Sequence, residues 1–132
     1  CWDVEKGEIR NFGLDRISQL DITQKKGKKI EIDLSEYYHH AVGIETYEKA
    51  EKVVLVCNSF QAQYLKSLPI HPSQKIQKET KDKCYFELFV HPTNEFIMEI
   101  FKYNNTLEVK EPKWLRAEMT NRVQDMMKCY IK

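Results

Sequence analysis

The sequence predicts an α+β protein, because stretches of strand character and stretches of helical periodicity alternate in the order β-α-β-β-α-β with one more helix at the end. Two observations carry this. A continuous β-branched run at residues 52–57 leads directly into a capped helical stripe, and an aromatic strand run at 84–90 leads, after His91-Pro92, into a second one. Composition agrees: 42% of the 132 residues are apolar and 31% charged, with only four Gly and four Pro. Such a chain can pack a core, which excludes disordered and fibrous classes. Its length suits one domain, or a small domain plus part of another, and is too short for two full domains.

At the start, residues 2–4 and 9–22 have alternating or aromatic character on either side of Glu5-Lys6-Gly7, as two strands of a hairpin would. An opening Cys-Trp strand with nothing before it leaves an edge unpaired, so the chain is expected to be a fragment of a larger protein. Lys25, Lys26, Lys28 and Lys29 surround Gly27 in a cationic loop, and the stretch to Gly43 has no periodicity and reads as a connection. Up to residue 50 there are eight Lys and Arg against ten Asp and Glu; beyond it there are thirteen against ten. The expected division is therefore 1–50 and 51–132.

In the second part, Asn58 is placed to cap a helix with Gln61 three residues on, Phe60, Tyr64, Leu65 and Leu68 mark its apolar face, and Pro69 ends it. Residues 75–81 alternate, and after Lys81-Asp82-Lys83 the run 84–90 completes a hairpin. His91-Pro92-Thr93-Asn94 opens the next helix, with Phe96, Ile97, Ile100 and Phe101 as its stripe, and Asn104-Asn105 closes it. A short strand at 107–109 follows. Pro112 suits the first turn of a last helix, where Leu115, Met119, Val123, Met126 or Met127 and Tyr130 keep to one side. The order is a split βαβ arrangement, a four-stranded sheet with two helices on one face. The last stripe must pack on the other face, on the first region or on another subunit, which makes a homodimer a live expectation.

The net charge of +1 excludes the strong overall basicity of a duplex-coating protein. The longest apolar run, 53–57, is far too short for a bilayer span, and no signal-peptide pattern opens the chain. Cysteines 1, 57, 84 and 129 lack the paired spacing of a zinc site or redox dithiol, so reduced cytosolic thiols are expected, with Cys57 and Cys84 as small buried hydrophobes.

Three stretches are similar to one family. Arg10-Asn11-Phe12-Gly13-Leu14-Asp15-Arg16-Ile17 resembles the R-x-F-x-L-D-R-I segment that closes the WYL domain of bacterial transcriptional regulators. Leu68-Pro69-Ile70-His71-Pro72-Ser73-Gln74 resembles the proline-histidine-serine-glutamine turn of their C-terminal extension, WCX, and residues 107–116, with Glu111-Pro112 and Leu115-Arg116, resemble its passage into the terminal helix. The Trp-Tyr-Leu strand that names the WYL domain is absent. The resemblance implies the end of an Sm- or SH3-like β-barrel followed by a ferredoxin-like domain with an extra C-terminal helix. It also implies a cytoplasmic regulator that senses an oligonucleotide or nucleotide effector, dimerises through its C-terminal region, and binds promoter DNA through a winged helix-turn-helix that this sequence does not contain.

Arg10 and Arg16, two of four arginines, are the phosphate candidates, since a guanidinium matches phosphate oxygens bidentately. Their spacing of six puts them on one strand face together with Phe12 and Leu14, a conflict that suggests an irregular strand around Gly13. Arg16 paired with Asp15 is an equal alternative. Lys25 and Lys26 are further phosphate candidates, although no aromatic interleaves them and a solvated loop is the simpler reading. Asp15, His71, Ser73 and Gln74 are taken as structural or orienting residues, and His39-His40 as surface residues without a metal. Tyr37, Tyr38, Tyr85 and Phe89 could stack bases, or belong to the core. Leu115, Met119 and Val123 are the dimer-interface candidates. No catalytic residue, metal or cofactor is assigned; a Ser-His pair two residues apart lacks a third member and an oxyanion loop. The rival readings are a dimerisation module without a ligand and a small enzyme of ferredoxin-like fold.

Overall fold

The computed structural model describes residues 1–27 and 29–131 and divides into two compact units, Cys1–Tyr37 and the chain from Tyr38 onward.

In the first unit, Trp2–Asp3 (β1) pairs antiparallel with Glu8–Ile9 (β2), Trp2 opposite Ile9. Asp3 builds the turn between them: its Oδ1 accepts from the amides of Glu5 (3.0 Å) and Lys6 (3.1 Å), and its carbonyl accepts from Gly7. Gly7, at φ 67°, supplies the left-handed residue the turn needs. The hairpin is where the sequence places it, but the strand expected through residue 22 is not formed. Among the described residues no ladder partner stands beside residues 10–22, so local bonding wins. Gly13 and Leu14 carbonyls accept from Arg16 and Ile17 amides, closing a 3-10 turn at Leu14–Arg16. Further on, Asp33 caps a single helical turn, Leu34–Tyr37 (α1), through the amides of Ser35 and Glu36. None of the described residues up to 37 is buried, and Val4, Leu14, Leu20 and Ile22 lie exposed.

The second unit is built on Glu51–Asn58 (β3), Ser59–Ser67 (α2), Lys75–Glu79 (β4), Lys83–Val90 (β5), Asn94–Phe101 (α3), Leu107–Glu111 (β6) and Lys113–Tyr130 (α4). Its sheet runs β4-β5-β3-β6 with every neighbour antiparallel. The central pair β3 and β5 is in continuous register over eight residues, with Cys57 opposite Cys84. Val53, Leu55 and Cys57 of β3 join Cys84, Phe86, Leu88 and Val90 of β5 on one face, and Ala62, Leu65, Phe96, Ile97 and Ile100 close over them. Each fully buried large side chain here stabilises the fold by roughly 1.5–3 kcal/mol.

Asn58 caps α2 as its position in the sequence predicts, its Oδ1 accepting from the Gln61 amide at 2.8 Å. The expected apolar face of that helix is largely wrong. Leu65 and Ala62 are the buried pair, because alanine lets the short helix sit close on the sheet; Phe60, Tyr64 and Leu68 point to solvent. Phe60 and Tyr64, four apart, meet edge-on at 5.4 Å. In α4 only Leu115 is buried and Met119 half-buried, while Val123, Met126, Met127 and Tyr130 are exposed.

Residues 38–50, placed from the sequence with the first part (1–50), are bonded into this second unit. The amide of His91 donates to the His40 carbonyl (2.9 Å), and that of Asn94 to the Tyr47 hydroxyl (2.7 Å).

Candidate functional site

The residues that carry the chemistry fall into three places. On the β1–β2 ribbon, the Arg10 guanidinium pairs with Asp3 Oδ2 at 3.1 Å and lies over the Phe12 ring, 5.2 Å from its centroid. Bonds from the Lys6 amide and from Arg10 hold the Asp3 carboxyl below its usual range. Arg16 sits exposed at the end of the 3-10 turn with Asp15 beside it, and forms no ion pair among the described residues; nor do Lys25 and Lys26, both exposed. The ribbon therefore brings Arg10 to Asp3 rather than to Arg16. Lys28 lies outside the described residues. Trp2, Val4, Lys29, Ile30 and Glu31 line a hollow of about 670 Å³ within this unit.

The second place is the turn after α2. His71 is 5% exposed, and its two ring nitrogens are both engaged: Nδ1 accepts from the Ser73 amide (3.1 Å), which leaves Nε2–H to donate to the His39 carbonyl (3.0 Å). Burial, and then the neighbouring imidazoles of His40, His39 and His91, lower the pKa of His71 below its ordinary value and favour the neutral ring. Gln74 holds the same turn, its Nε2 donating to the Leu65 carbonyl (2.7 Å) and its Oε1 accepting from Ile70 (3.0 Å).

Ser73 Oγ lies 2.7 Å from His71 Nδ1, the spacing of a nucleophile and its base. Here it serves another purpose. The hydroxyl oxygen accepts from the Phe89 amide (2.9 Å) and faces the Phe89 carbonyl (3.1 Å), so it ties the turn to β5. The far nitrogen of His71 meets a carbonyl where a triad would place a carboxylate. This geometry makes a folded turn.

His40, expected at the surface, is half-buried. Its ring stands edge-on to His39 (4.7 Å), Phe89 (4.9 Å) and His91 (6.1 Å), and its Nδ1 is buried without a hydrogen-bond partner among the described residues. All four histidines of the chain thus gather around His40. Sequence reasoning missed this cluster, because its members come from three separate segments; the His39-His40 pair was its only visible sign.

The third place is α4. Leu115, taken from the sequence as an interface residue, belongs to the core at 0% exposure, because the first turn of α4 packs on β6. Met119 borders the core and Val123 is 51% exposed. Arg116 donates to the Val109 carbonyl (2.7 Å) and pairs with Glu108, fastening the start of the helix. Beyond it, Phe101, Leu107, Val109, Met119 and Val123 line a hollow of about 380 Å³. A second, of about 470 Å³, lies beside Met98, Phe101, Met126 and Cys129.

Cys57 and Cys84 are buried, and burial pushes the Cys57 thiol up to about 11 and raises that of Cys84, which leaves both inert at neutral pH. Tyr85 is half-buried and Phe89 partly exposed under His40. Among the described residues no group of His, Cys, Asp or Glu could hold a metal ion, and no helix is long and apolar enough to cross a membrane.

The second unit is thus an α+β domain with a fastened polar turn and a helix whose far half is uncovered. Compared with known families, residues 49–127 match the WCX domain. That match spans β3 to most of α4, more than half of the chain, and the chain belongs to the WCX domain family. The match supports a WYL-associated C-terminal domain. A search of curated proteins finds no match.

Proposed function

We propose that this chain is the C-terminal effector-sensing and oligomerisation region of a bacterial, cytoplasmic WYL-type transcriptional regulator. In this reading residues 1–50 are the end of an Sm- or SH3-like WYL barrel and a connecting loop, of which 38–50 fold with the WCX extension at 51–132. The sheet order β6-β3-β5-β4, with the chain order βαββαβ, supports a ferredoxin-like domain. The exposed apolar residues of the first unit suit strands that a larger barrel would cover. DNA would be read by a winged helix-turn-helix outside this sequence.

One observation carries the assembly part: past Met119, α4 presents Val123, Met126 and Met127 to solvent beside two apolar hollows. An apolar helical face of this kind fits a second copy. Sedimentation equilibrium of the chain and of Val123→Asp tests it: a dimer that the substitution splits supports the reading, and a monomeric parent chain removes it.

A sensing role is favoured by the first unit, where Arg16, Lys25 and Lys26 are exposed and outside ion pairs, free to meet the phosphates of an oligonucleotide or nucleotide. Effector binding would change DNA affinity by favouring one of two domain arrangements. A module that only dimerises is the alternative, and it differs by binding no oligonucleotide.

A further inference from the structure

We propose that residues 38–48 form a strap that the imidazole cluster of His39, His40, His71 and His91 holds closed near neutral pH and releases in mild acid. The inference is independent of the regulator reading.

Beside the bond from the Asn94 amide to the Tyr47 hydroxyl (2.7 Å), three further sets of contacts hold the strap. His71 Nε2–H donates to the His39 carbonyl (3.0 Å). His91 engages it twice, through its amide to the His40 carbonyl (2.9 Å) and through Nδ1 to the Glu48 carbonyl (2.6 Å). At the N-terminus of α3, Glu95 Oε2 accepts from the amides of Ile44 (2.6 Å) and Glu45 (2.8 Å) while Glu45 Oε2 accepts from the Glu95 amide (2.9 Å). The first two are made by the histidines, His71 and His91.

Proton uptake acts against this arrangement at a defined atom. The free lone pair of His71 lies on Nδ1, and the Ser73 amide already points at it. A proton placed there turns two N–H groups against each other, and Ser73 must hand Nδ1 its oxygen while its own amide loses its acceptor. The charge would form in a buried site facing three further imidazoles. His40 stands beside this site with a buried Nδ1 that has no bond partner among the described residues.

Among the described residues no carboxylate pairs with these rings. Of those on the packed elements, Glu45 and Glu95 are committed to backbone amides, Glu48 presents its carbonyl, and Glu87 on β5 takes a bond from Gln77 (3.4 Å). Lys49 and Lys75 at the margins are exposed. Opening the strap frees the His39 and Glu48 carbonyls and lets the rings reach water, so the open form takes up protons more readily and acid favours it.

Amide hydrogen exchange on the whole chain, corrected for the intrinsic pH dependence of exchange, tests this. Below pH 6.5 the opening of residues 39–48 should rise about tenfold per pH unit for one coupled proton, while amides of β3 and β5 stay protected. His71→Gln, which keeps a donor toward His39 and cannot titrate, should flatten that response. If His71→Gln does not fold, the imidazole proton signals of the parent chain serve instead, and His71 must titrate together with strap amides. Strap and core exchanging in constant ratio across the pH range would overturn the proposal, as would an undiminished acid response in His71→Gln.

Discussion

Glu45 and Glu95, fifty residues apart, each accept a hydrogen bond from the other's backbone amide: Glu95 Oε2 lies 2.8 Å from the Glu45 nitrogen, and Glu45 Oε2 lies 2.9 Å from the Glu95 nitrogen. This exchange caps the first turn of α3 and fixes residues 38–50 to the domain. The Glu95 carboxylate also meets the Ile44 amide at 2.6 Å, where Gly43, at φ 87°, turns the chain.

Truncating Glu95 to Ala leaves the amides of Ile44 and Glu45 without their acceptor and should cost about 2 kcal/mol, read as a lower denaturation midpoint. Gly43→Ala should act in the same direction, by at least about 1 kcal/mol, because the new Cβ would come within 2.4 Å of Glu95 Oε2 at a left-handed position. The double change should cost less than the sum of the two, since both loosen one junction. Urea titration of the three variants checks it.

The same logic separates two residues that the helical stripe of α4 makes look alike. Leu115→Ala empties a site with no solvent exposure and should lower stability by about 2–5 kcal/mol. Val123→Asp alters a half-exposed position and should shift monomer stability by no more than about 0.5 kcal/mol. Thermal melting at low protein concentration distinguishes them, and a Leu115 variant of unchanged stability would contradict the packing of α4 on β6.

Gln74→Ala removes the bonds to Leu65 and Ile70 and should destabilise by about 1–3 kcal/mol. Gln74→Glu should be at least as damaging, because a carboxylate cannot donate to the Leu65 carbonyl.

Stability should depend on pH through His71. Its pKa is lowered in the fold, so the unfolded chain binds the proton more readily. The contribution of the neutral ring is therefore complete above the ordinary value of 6.5 and is lost as the pH falls below it. Denaturation midpoints between pH 5 and 8 should fall on the acid side, and the slope should shrink in His71→Gln.

The second unit was legible because its signals are local. The β-branched run of β3, the Asn58 cap with Gln61 three residues on, and the Phe96, Ile97, Ile100 stripe each act within one turn or strand of themselves. Where the sequence misled, distance was the cause. Phe60 and Tyr64 look like a core face until Ala62 and Leu65 take that place against β5, and Leu115 and Val123 share a stripe of which the sheet covers only the first end. The strand expected over residues 9–22 needs a ladder that no sequence pattern can supply alone. Of the phosphate candidates, Arg10 was paired away by Asp3, seven residues earlier, which parity along a strand could not reveal.

The central claim, a sensing region with its phosphate contacts on the first unit, is tested most directly by titrating the chain with a short single-stranded oligonucleotide at two salt concentrations. Trp2, 40% exposed beside Lys29, contributes to the fluorescence signal. The account predicts salt-sensitive binding whose logarithmic salt slope drops by about 0.7 when Arg16→Ala removes one phosphate contact. No binding at low salt, or binding that Arg16→Ala leaves unchanged in affinity and slope, would contradict it.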